Sequence, residues 1–346
     1  MPGPHLHLRG QREQLLVQGV EDVARPDLAI DKIAGARAIF RSLHDKLLVL
    51  PRECEVWPGH LGGSMCGGPG MDMKISSTIG FEAAHNPTLA IEDEDRFVAE
   101  ALAKLGPQPP NFEAIVALNR GPLLTQGVEV LPLAPRQVEQ KRAEGALLID
   151  VRTDQQFDDA HIPGALCNPM LRAGFGSKLG WLADRVQEMV FVGRDDADGR
   201  RAAALAVAVG LRRLGGFLHG GMTSWRQERR PTAAIERLAL ADLAARVRED
   251  RGMQLLDVRE RSEWDAGHIP GSTHAPWHDI DALPAGLDAA RPIAVVCASG
   301  QRAATAASLL QSHGAAHVIH VVDGGVPAWG RLGHPLEPAV PAGAVA

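Results

Sequence analysis

One stretch decides the fold of the last third of the chain: Val295-Val296-Cys297-Ala298-Ser299-Gly300-Gln301-Arg302-Ala303-Ala304. The apolar run from Ile293 to Val296 predicts a short buried strand. The alanine-rich residues 302–310 predict a helix. Cys297 therefore stands between a strand and a helix, with only a small, glycine-containing loop after it.

The position of Cys297 suits a reactive thiolate. Backbone N–H groups at the start of a helix have no partner within the helix, and the helix dipole is positive there. Such surroundings lower the pKa of a cysteine from about 8.5 to roughly 3.5–7.5, and they also bind anionic ligands. We therefore predict that Cys297 and Arg302 are catalytic, Cys297 as the nucleophile and Arg302 as an added positive charge. The predicted substrate-binding residues are Ala298, Ser299, Gly300 and Gln301. A buried structural cysteine at a strand end is the alternative.

Motifs on both sides of the cysteine accompany this loop. They are residues 255–260 (LLDVRE), residues 263–272 (EWDAGHIPGS) and residues 324–329 (GGVPAW). The ordered set closely resembles a rhodanese (sulfurtransferase) domain, over residues 236–340. The loop from Cys297 to Arg302 is six residues long. In that family this length goes with sulfur chemistry, whereas the related phosphatases carry a longer loop.

The same motifs occur once more, about one hundred residues earlier. Residues 146–153 (ALLIDVRT), 160–165 (AHIPGA) and 220–225 (GGMTSW) repeat the later copy with similar spacing. This repeat resembles a second rhodanese-like domain, over residues 128–231. Because strands alternate with helices in both copies, we expect two α/β domains with parallel sheets.

The earlier copy lacks a nucleophile. Its strand at residues 189–192 leads into a longer loop, 193–201, that contains carboxylates and no cysteine. We expect this copy to be inactive and to serve as a spacer or docking surface, with Cys167 as a packing residue. Asp257, Arg259 and His268 recur in the inactive copy, so we interpret them as structural ties around the strand ends.

Residues 1–122 resemble a different family. Their motifs include residues 22–28 (DVARPDL), residues 57–68 (WPGHLGGSMCGG) and residues 119–122 (NRGP). The series resembles the C-terminal half of a metallo-β-lactamase-fold persulfide dioxygenase, an enzyme type that oxidises a persulfide to sulfite with a mononuclear iron. The resemblance implies a half domain from an N-terminally truncated chain. Its uncovered sheet would then either leave residues 1–30 poorly packed or pair with another chain, of which a homo-oligomer is one form.

The iron ligands of that family, two histidines and an aspartate, are not matched here. His5 and His7 are not followed by the Asp-His that completes the HxHxDH motif, and His60 matches a position that is not an iron ligand in the dioxygenases. An iron centre of this type needs all three ligands. We therefore expect no metal and no other cofactor, with His60 as a remnant ligand position at most.

The composition excludes several classes of protein. The net charge of −6 leaves no basic excess for nucleic acid, and no apolar run approaches the ~20 residues that a membrane helix needs. Because the N-terminus has no signal-peptide core, we expect a cytoplasmic protein. Four cysteines without a CxxC pair argue against a disulfide framework and a structural zinc site.

The sequence therefore predicts an α/β protein: two tandem rhodanese-like parallel-sheet domains, preceded by a partial metallo-β-lactamase-like αββα segment. The expected activity moves sulfane sulfur from thiosulfate or a low-molecular-weight persulfide through a Cys297 persulfide to a thiol or cyanide-like acceptor, in sulfide and persulfide metabolism. Two alternatives stay open. One is a non-catalytic rhodanese-like binding or regulatory module, and the other is the remnant of an iron persulfide dioxygenase.

Overall fold

The computed structural model describes residues 31–57, 74–103, 107–121, 129–172, 174–183, 187–249 and 252–338. The chain divides into two compact units, Met1–Gln108 and Pro109–Ala346. His5, His7 and His60 lie outside the described residues, so the predicted absence of a metal site at these histidines stays a prediction.

The first unit contains helices packed around a small apolar core. Its elements are α1 (Lys32–Ser42), a π-helical turn (Leu43–Leu47), β1 (Glu55–Val56), β2 (Ser77–Thr78), α2 (Ile79–His85) and α3 (Glu94–Ala103). Asp31 begins α1 by accepting hydrogen bonds from two backbone N–H groups of the first turn. Strands β1 and β2 pair antiparallel. The core is formed by Ile39, Leu43, Leu47, Ile79, Ile91 and Phe97.

The second unit begins with α4 (Phe112–Arg120) and then builds two five-stranded sheets. The elements of the first are β3 (Pro132–Leu133), α5 (Pro135–Ala143), β4 (Leu147–Asp150), α6 (Asp154–Asp159), β5 (Leu166–Cys167), α7 (Phe175–Leu182), β6 (Met189–Val192), α8 (Asp196–Ala208), β7 (Leu214–Leu218) and α9 (Gly221–Gln227). Its strand order is β3-β7-β6-β4-β5, and every pairing is parallel. We call residues 129–235 the Cys-free domain. The name refers only to the loop after β6, which has no cysteine; Cys167 lies elsewhere in the domain, at the end of β5.

The second sheet repeats this plan. Its elements are β8 (Glu236–Ala239), α10 (Leu240–Glu249), β9 (Gln254–Asp257), α11 (Arg261–Asp265), β10 (Thr273–His274), a 3₁₀ turn (Trp277–Asp279), β11 (Ile293–Val296), α12 (Gln301–Ser312), β12 (Val318–Val322) and α13 (Val326–Arg331). The order β10-β9-β11-β12-β8 is again fully parallel. We call residues 236–338 the cysteine-loop domain.

The predicted α/β class with two parallel sheets is confirmed. Every residue of β6 and of β11 is buried, as expected for strands with both faces covered. The strand predicted at Ile293–Val296 has these bounds in the structure, and the helix predicted at 302–310 is the interior of α12. Cys297 consequently lies at the carboxyl edge of the central strand.

Helix α12 lies where the two domains meet. Ala303, Ala304, Ala306 and Ala307 are buried, and the core cluster that contains them also contains Cys167. The backbone N–H of Cys167, at the end of β5, donates to Ser308 Oγ of α12 over 2.9 Å. Small side chains on α12 therefore let the Cys-free domain approach the helix that follows the cysteine loop.

The hydrogen bond between the domains gives a stability prediction. Ser308→Ala leaves the buried N–H of Cys167 without its acceptor, so the free energy of unfolding in urea should fall by about 1–3 kcal/mol. Ser312→Ala is the matched control, because its exposed hydroxyl makes the same bond to the carbonyl three residues earlier on the same helix. Equal losses in both variants would contradict a role for Ser308 between the domains.

Candidate active site at the cysteine loop

The cysteine loop, residues 297–302, folds back over the sulfur of Cys297. The backbone N–H of Gly300 donates to Cys297 Sγ over 3.1 Å, and that of Ser299 does so over 3.5 Å. The loop leads directly into α12, so the positive end of the helix dipole lies beside the same sulfur. The two N–H groups and the dipole both place partial positive charge beside the sulfur. The structure thus brings Cys297 together with the predicted loop residues Ser299 and Gly300.

Two glycines make this loop geometry accessible. Gly300 has φ +89°, in the left-handed region that glycine adopts at little cost. Gly325 lies so close to the loop that a Cβ there would come within 2.1 Å of the carbonyl oxygen of Cys297. The neighbouring N–H of Val326 donates to that carbonyl over 2.9 Å. The Gly-Gly of the sequence motif is therefore explained by close backbone approach beneath Cys297.

His320 supports the loop from β12. One ring nitrogen lies 2.8 Å from the carbonyl oxygen of Gly300, and the other lies 2.7 Å from Asp158 Oδ2 in the Cys-free domain. Arg237 also donates to Asp158 Oδ2, over 2.5 Å. Hydrogen-bond contacts through the buried ring of His320 thereby join the Cys-free domain to the cysteine loop.

Arg302 does not present a free positive charge to the sulfur. Its guanidinium makes a two-point contact with Glu263, at 2.5 and 2.8 Å. Burial alone would lower the pKa of Arg302, but the hydrogen bonds and charge of Glu263 raise it above its ordinary value. Burial would raise the pKa of Glu263, and Arg302 instead holds it below its ordinary value. Arg302 is therefore ion-paired with Glu263 and also interacts electrostatically with Cys297, and its catalytic role stays a prediction.

Asp257 and Arg259 form a structural tie, as predicted. Arg259 donates to both oxygens of Asp257, with a shortest distance of 2.6 Å, and to the carbonyl of Gly267 over 2.8 Å. Arg152 repeats these contacts with Asp150 and Ala160 in the Cys-free domain. The ring of His268 stacks on Trp264 at 3.6 Å and bonds its carbonyl.

The loop of the Cys-free domain uses its carboxylates for local structure. Asp195 accepts from the N–H of Asp198 at the start of α8, and Asp198 pairs with Arg194 at 2.7 Å. Asp196 accepts from the N–H of Gly220. Cys167 is fully buried, and burial, followed by the charges of Asp150 and Asp158, raises the pKa of its thiol. The prediction that Cys167 is a packing residue agrees with this position.

The sequence analysis missed the contribution of the Cys-free domain to the site. Lys178 and Trp181 of α7 reach the cysteine-loop domain: Lys178 Nζ lies 3.4 Å from the carbonyl oxygen of Gln301, and Trp181 stacks on His278 at 4.5 Å. A polar residue within the apolar Val318–Val322 run was a signal for His320. No local pattern marked Asp158 or Lys178, because their partners His320 and Gln301 lie more than one hundred residues away.

The rhodanese-like domain profile matches residues 134–228 and 240–332, which together exceed half of the chain. The chain belongs to the rhodanese-like family. The thiosulfate sulfurtransferase GlpE of Pseudomonas savastanoi pv. phaseolicola is 36% identical over 93 residues, 27% of this chain and 86% of GlpE. The protein YrkF of Bacillus subtilis is 33% identical over 92 residues, 27% of this chain and 50% of YrkF. The rhodanese-like chain thus spans half the length of YrkF.

Solved structures give two further similarities. The Alr3790 protein of Anabaena sp. is 32% identical to this rhodanese-like chain, with a TM-score of 0.28, over 30% of this chain and 93% of that one. A metallo-β-lactamase of Staphylococcus aureus is 24% identical, with a TM-score of 0.43, over 54% of this chain and 51% of that one.

Within the described residues, no three His, Cys, Asp or Glu side chains are grouped to hold a metal ion. No helix in the same part of the rhodanese-like chain has the length and apolar character needed to cross a membrane.

The pairing of Arg302 with Glu263 predicts that the two side chains act on Cys297 jointly. Arg302→Ala leaves the Glu263 carboxylate unbalanced near the loop, so iodoacetamide should alkylate Cys297 roughly tenfold more slowly at pH 7. The double variant Arg302→Ala/Glu263→Ala removes both charges and should recover most of the rate. If the double variant is as slow as the single one, Arg302 acts on the sulfur independently of Glu263.

The buried pair of Asp158 and His320 gives a second prediction. Asp158→Asn removes the buried carboxylate that pairs with Arg237 and contacts the ring of His320, which should lower the free energy of unfolding by about 3–5 kcal/mol. Asp159→Asn is the control, since Asp159 is the exposed neighbour, and it should change the stability by less than about 0.5 kcal/mol. Urea denaturation measures both. A wild-type stability for Asp158→Asn would rule out the ion pair.

Proposed function

We propose that the cysteine-loop domain is a sulfurtransferase that carries sulfane sulfur as a persulfide on Cys297. The observation that carries this proposal is the pair of N–H groups, from Ser299 and Gly300, directed at Cys297 Sγ at the start of α12. A sulfur at this place has the hydrogen bonds that a thiolate needs, and the same donors suit the negative charge of a persulfide. The GlpE relatives, which are named thiosulfate sulfurtransferases, support the same chemistry.

The proposed cycle has two displacement steps. The Cys297 thiolate attacks the outer sulfur of thiosulfate, the S–S bond breaks, and sulfite leaves with the bonding electron pair. Cys297 is then a persulfide anion. A thiolate or cyanide attacks the outer sulfur of this persulfide, and the Cys297 thiolate returns as the leaving group. A low-molecular-weight persulfide donor follows the same path, with a thiolate leaving in place of sulfite. This is covalent catalysis without an external oxidant or reductant.

We propose further that the cycle uses no metal or organic cofactor and takes place in the cytoplasm, as a step of sulfide and persulfide metabolism. The first unit is proposed to derive from a persulfide dioxygenase and to take no part in the transfer. An iron centre of that enzyme type requires two histidines and a carboxylate, and in the sequence His5 and His7 are not followed by the Asp-His that completes the HxHxDH motif. No reaction step is therefore assigned to iron.

Mass spectrometry of the intact protein tests the nucleophile. After incubation with thiosulfate, the wild-type chain should gain the mass of one sulfur atom, located on the peptide that contains Cys297, and cyanide should remove it. Cys297→Ser should lose both the added mass and thiosulfate:cyanide turnover, because a hydroxyl at this place does not ionise at neutral pH.

Cys54→Ser and Cys167→Ala are the controls, and both should keep the sulfur adduct on Cys297. Turnover by Cys297→Ser would show that another residue carries the sulfur. A wild-type chain that forms no adduct with thiosulfate or a small persulfide would favour the non-catalytic binding module instead.

A further inference from the structure

The Cys-free domain places a lysine beside the cysteine loop. Lys178 lies on α7, and its Nζ donates to the carbonyl oxygen of Gln301 over 3.4 Å. Gln301 immediately follows Gly300, the residue whose N–H bonds Cys297 Sγ. The ammonium of Lys178 interacts electrostatically with both Cys167 and Cys297. An amine from one domain therefore contacts the backbone of the cysteine loop of the other.

Lys178 differs from the arginines around it in its charge balance. Arg302 is paired with Glu263, and Arg172 has Asp154 at 3.7 Å. Among the residues that the structure describes, Lys178 has no carboxylate within ion-pair distance, and its electrostatic neighbours are the two cysteines and these two arginines. Lys178 is thus the cation near Cys297 whose charge is left for a ligand.

Helix α7 is held at this place by packing. Trp181, one turn after Lys178, stacks on His278 of the cysteine-loop domain with an angle of 25° between the rings. Trp181 and Leu182 also pack against the core cluster that includes Cys297. The lysine is therefore carried on a helix whose position is fixed by apolar contacts, and binding an anion needs little further ordering of the backbone.

Burial lowers the pKa of Lys178, because removal from water disfavours the ammonium, whereas negative charge at Cys167 or Cys297 would raise it. A bound anion would act in the same direction as a charged sulfur and favour the ammonium of Lys178.

The proposed sulfur donor supplies such an anion. Thiosulfate has two negative charges, and its attack by a thiolate gathers a third at the loop. Two backbone N–H groups and a helix dipole carry only partial positive charge.

We propose that Lys178 of the Cys-free domain completes the active site on Cys297 by binding the anionic leaving group of the sulfur donor, so that the site favours thiosulfate-like anions over uncharged sulfur compounds. This inference rests on the proposed sulfurtransferase function. The proposal gives the Cys-free domain a direct part in substrate selection. That role could not be inferred from the loop of this domain, because the loop has no cysteine. In this proposal Lys178 contacts the sulfur donor, and Cys297 remains the nucleophile.

Alkylation by a matched pair of reagents tests the proposal without turnover. Iodoacetate is an anion and iodoacetamide is its neutral counterpart, and both transfer a similar group to a thiolate. The rates are followed by mass spectrometry of the Cys297 peptide. Lys178→Gln should lower the ratio of the iodoacetate rate to the iodoacetamide rate by about tenfold, the effect of losing one hydrogen bond to a charged group. Lys178→Arg should keep most of the wild-type ratio.

Controls separate the charge of Lys178 from general damage. Lys141→Gln removes the other lysine of the Cys-free domain, which is bonded to Glu188, and it should leave the ratio unchanged. Lys178→Met keeps an unbranched side chain in the same partly buried place, so it repeats the test if glutamine is not tolerated there. An unchanged ratio in a folded Lys178→Gln or Lys178→Met protein overturns the proposal.

Steady-state kinetics with thiosulfate and cyanide then test whether the charge of Lys178 contributes to binding of the sulfur donor. Lys178→Gln should raise KM for thiosulfate about tenfold or more while kcat changes less. A lower kcat with an unchanged KM would overturn donor binding as the role of Lys178. If the wild-type protein shows no turnover at all, the proposed function fails, and the alkylation ratio still reports whether Lys178 favours anions at Cys297.

Discussion

The hydrogen bond from the Gly300 N–H to Cys297 Sγ is the contact on which the site depends. It exists only while Gly300 keeps its left-handed backbone, since that conformation turns the N–H toward the sulfur and the carbonyl toward His320. One ring nitrogen of His320 contacts that carbonyl, and the other contacts Asp158 Oδ2. The orientation of one backbone N–H in the cysteine-loop domain is thus connected to a carboxylate of the Cys-free domain.

This connection gives the copy whose loop has no cysteine a structural role beside the copy that has one. Both copies keep the Asp–Arg tie at the strand ends, so each can order its own loops. The cysteine loop is also joined to the other copy, through His320 on one side and through the carbonyl of Gln301 on the other. The Cys-free domain therefore borders the cysteine loop, and its role as a spacer or docking surface stays a prediction.

The sequence predicts secondary structure and loops well, because they depend on neighbouring residues. It predicts side-chain contacts between the two domains poorly. The strand Ile293–Val296, the loop after it and helix α12 follow from periodicity and from the placement of glycine, because neighbouring residues determine them. The role of Arg302 was predicted from its charge alone, and the sequence did not show that Glu263 is its partner. Lys178 and Asp158 could not be found this way, since a charge in a helix gives no sign of a partner in another domain.

The alanines of α12 show how such long-range contacts are specified nevertheless. On the sequence, Ala303, Ala304, Ala306 and Ala307 indicate only a good helix former. In the structure they are buried in the cluster shared by both domains, so their small size sets how closely the domains approach. A larger side chain at such a place would overpack the interface, which typically costs about 1–3 kcal/mol. Moving the Cys-free domain outward would withdraw Asp158 from His320 and Lys178 from Gln301 together. The composition of one helix is therefore a condition for both contacts that complete the cysteine loop.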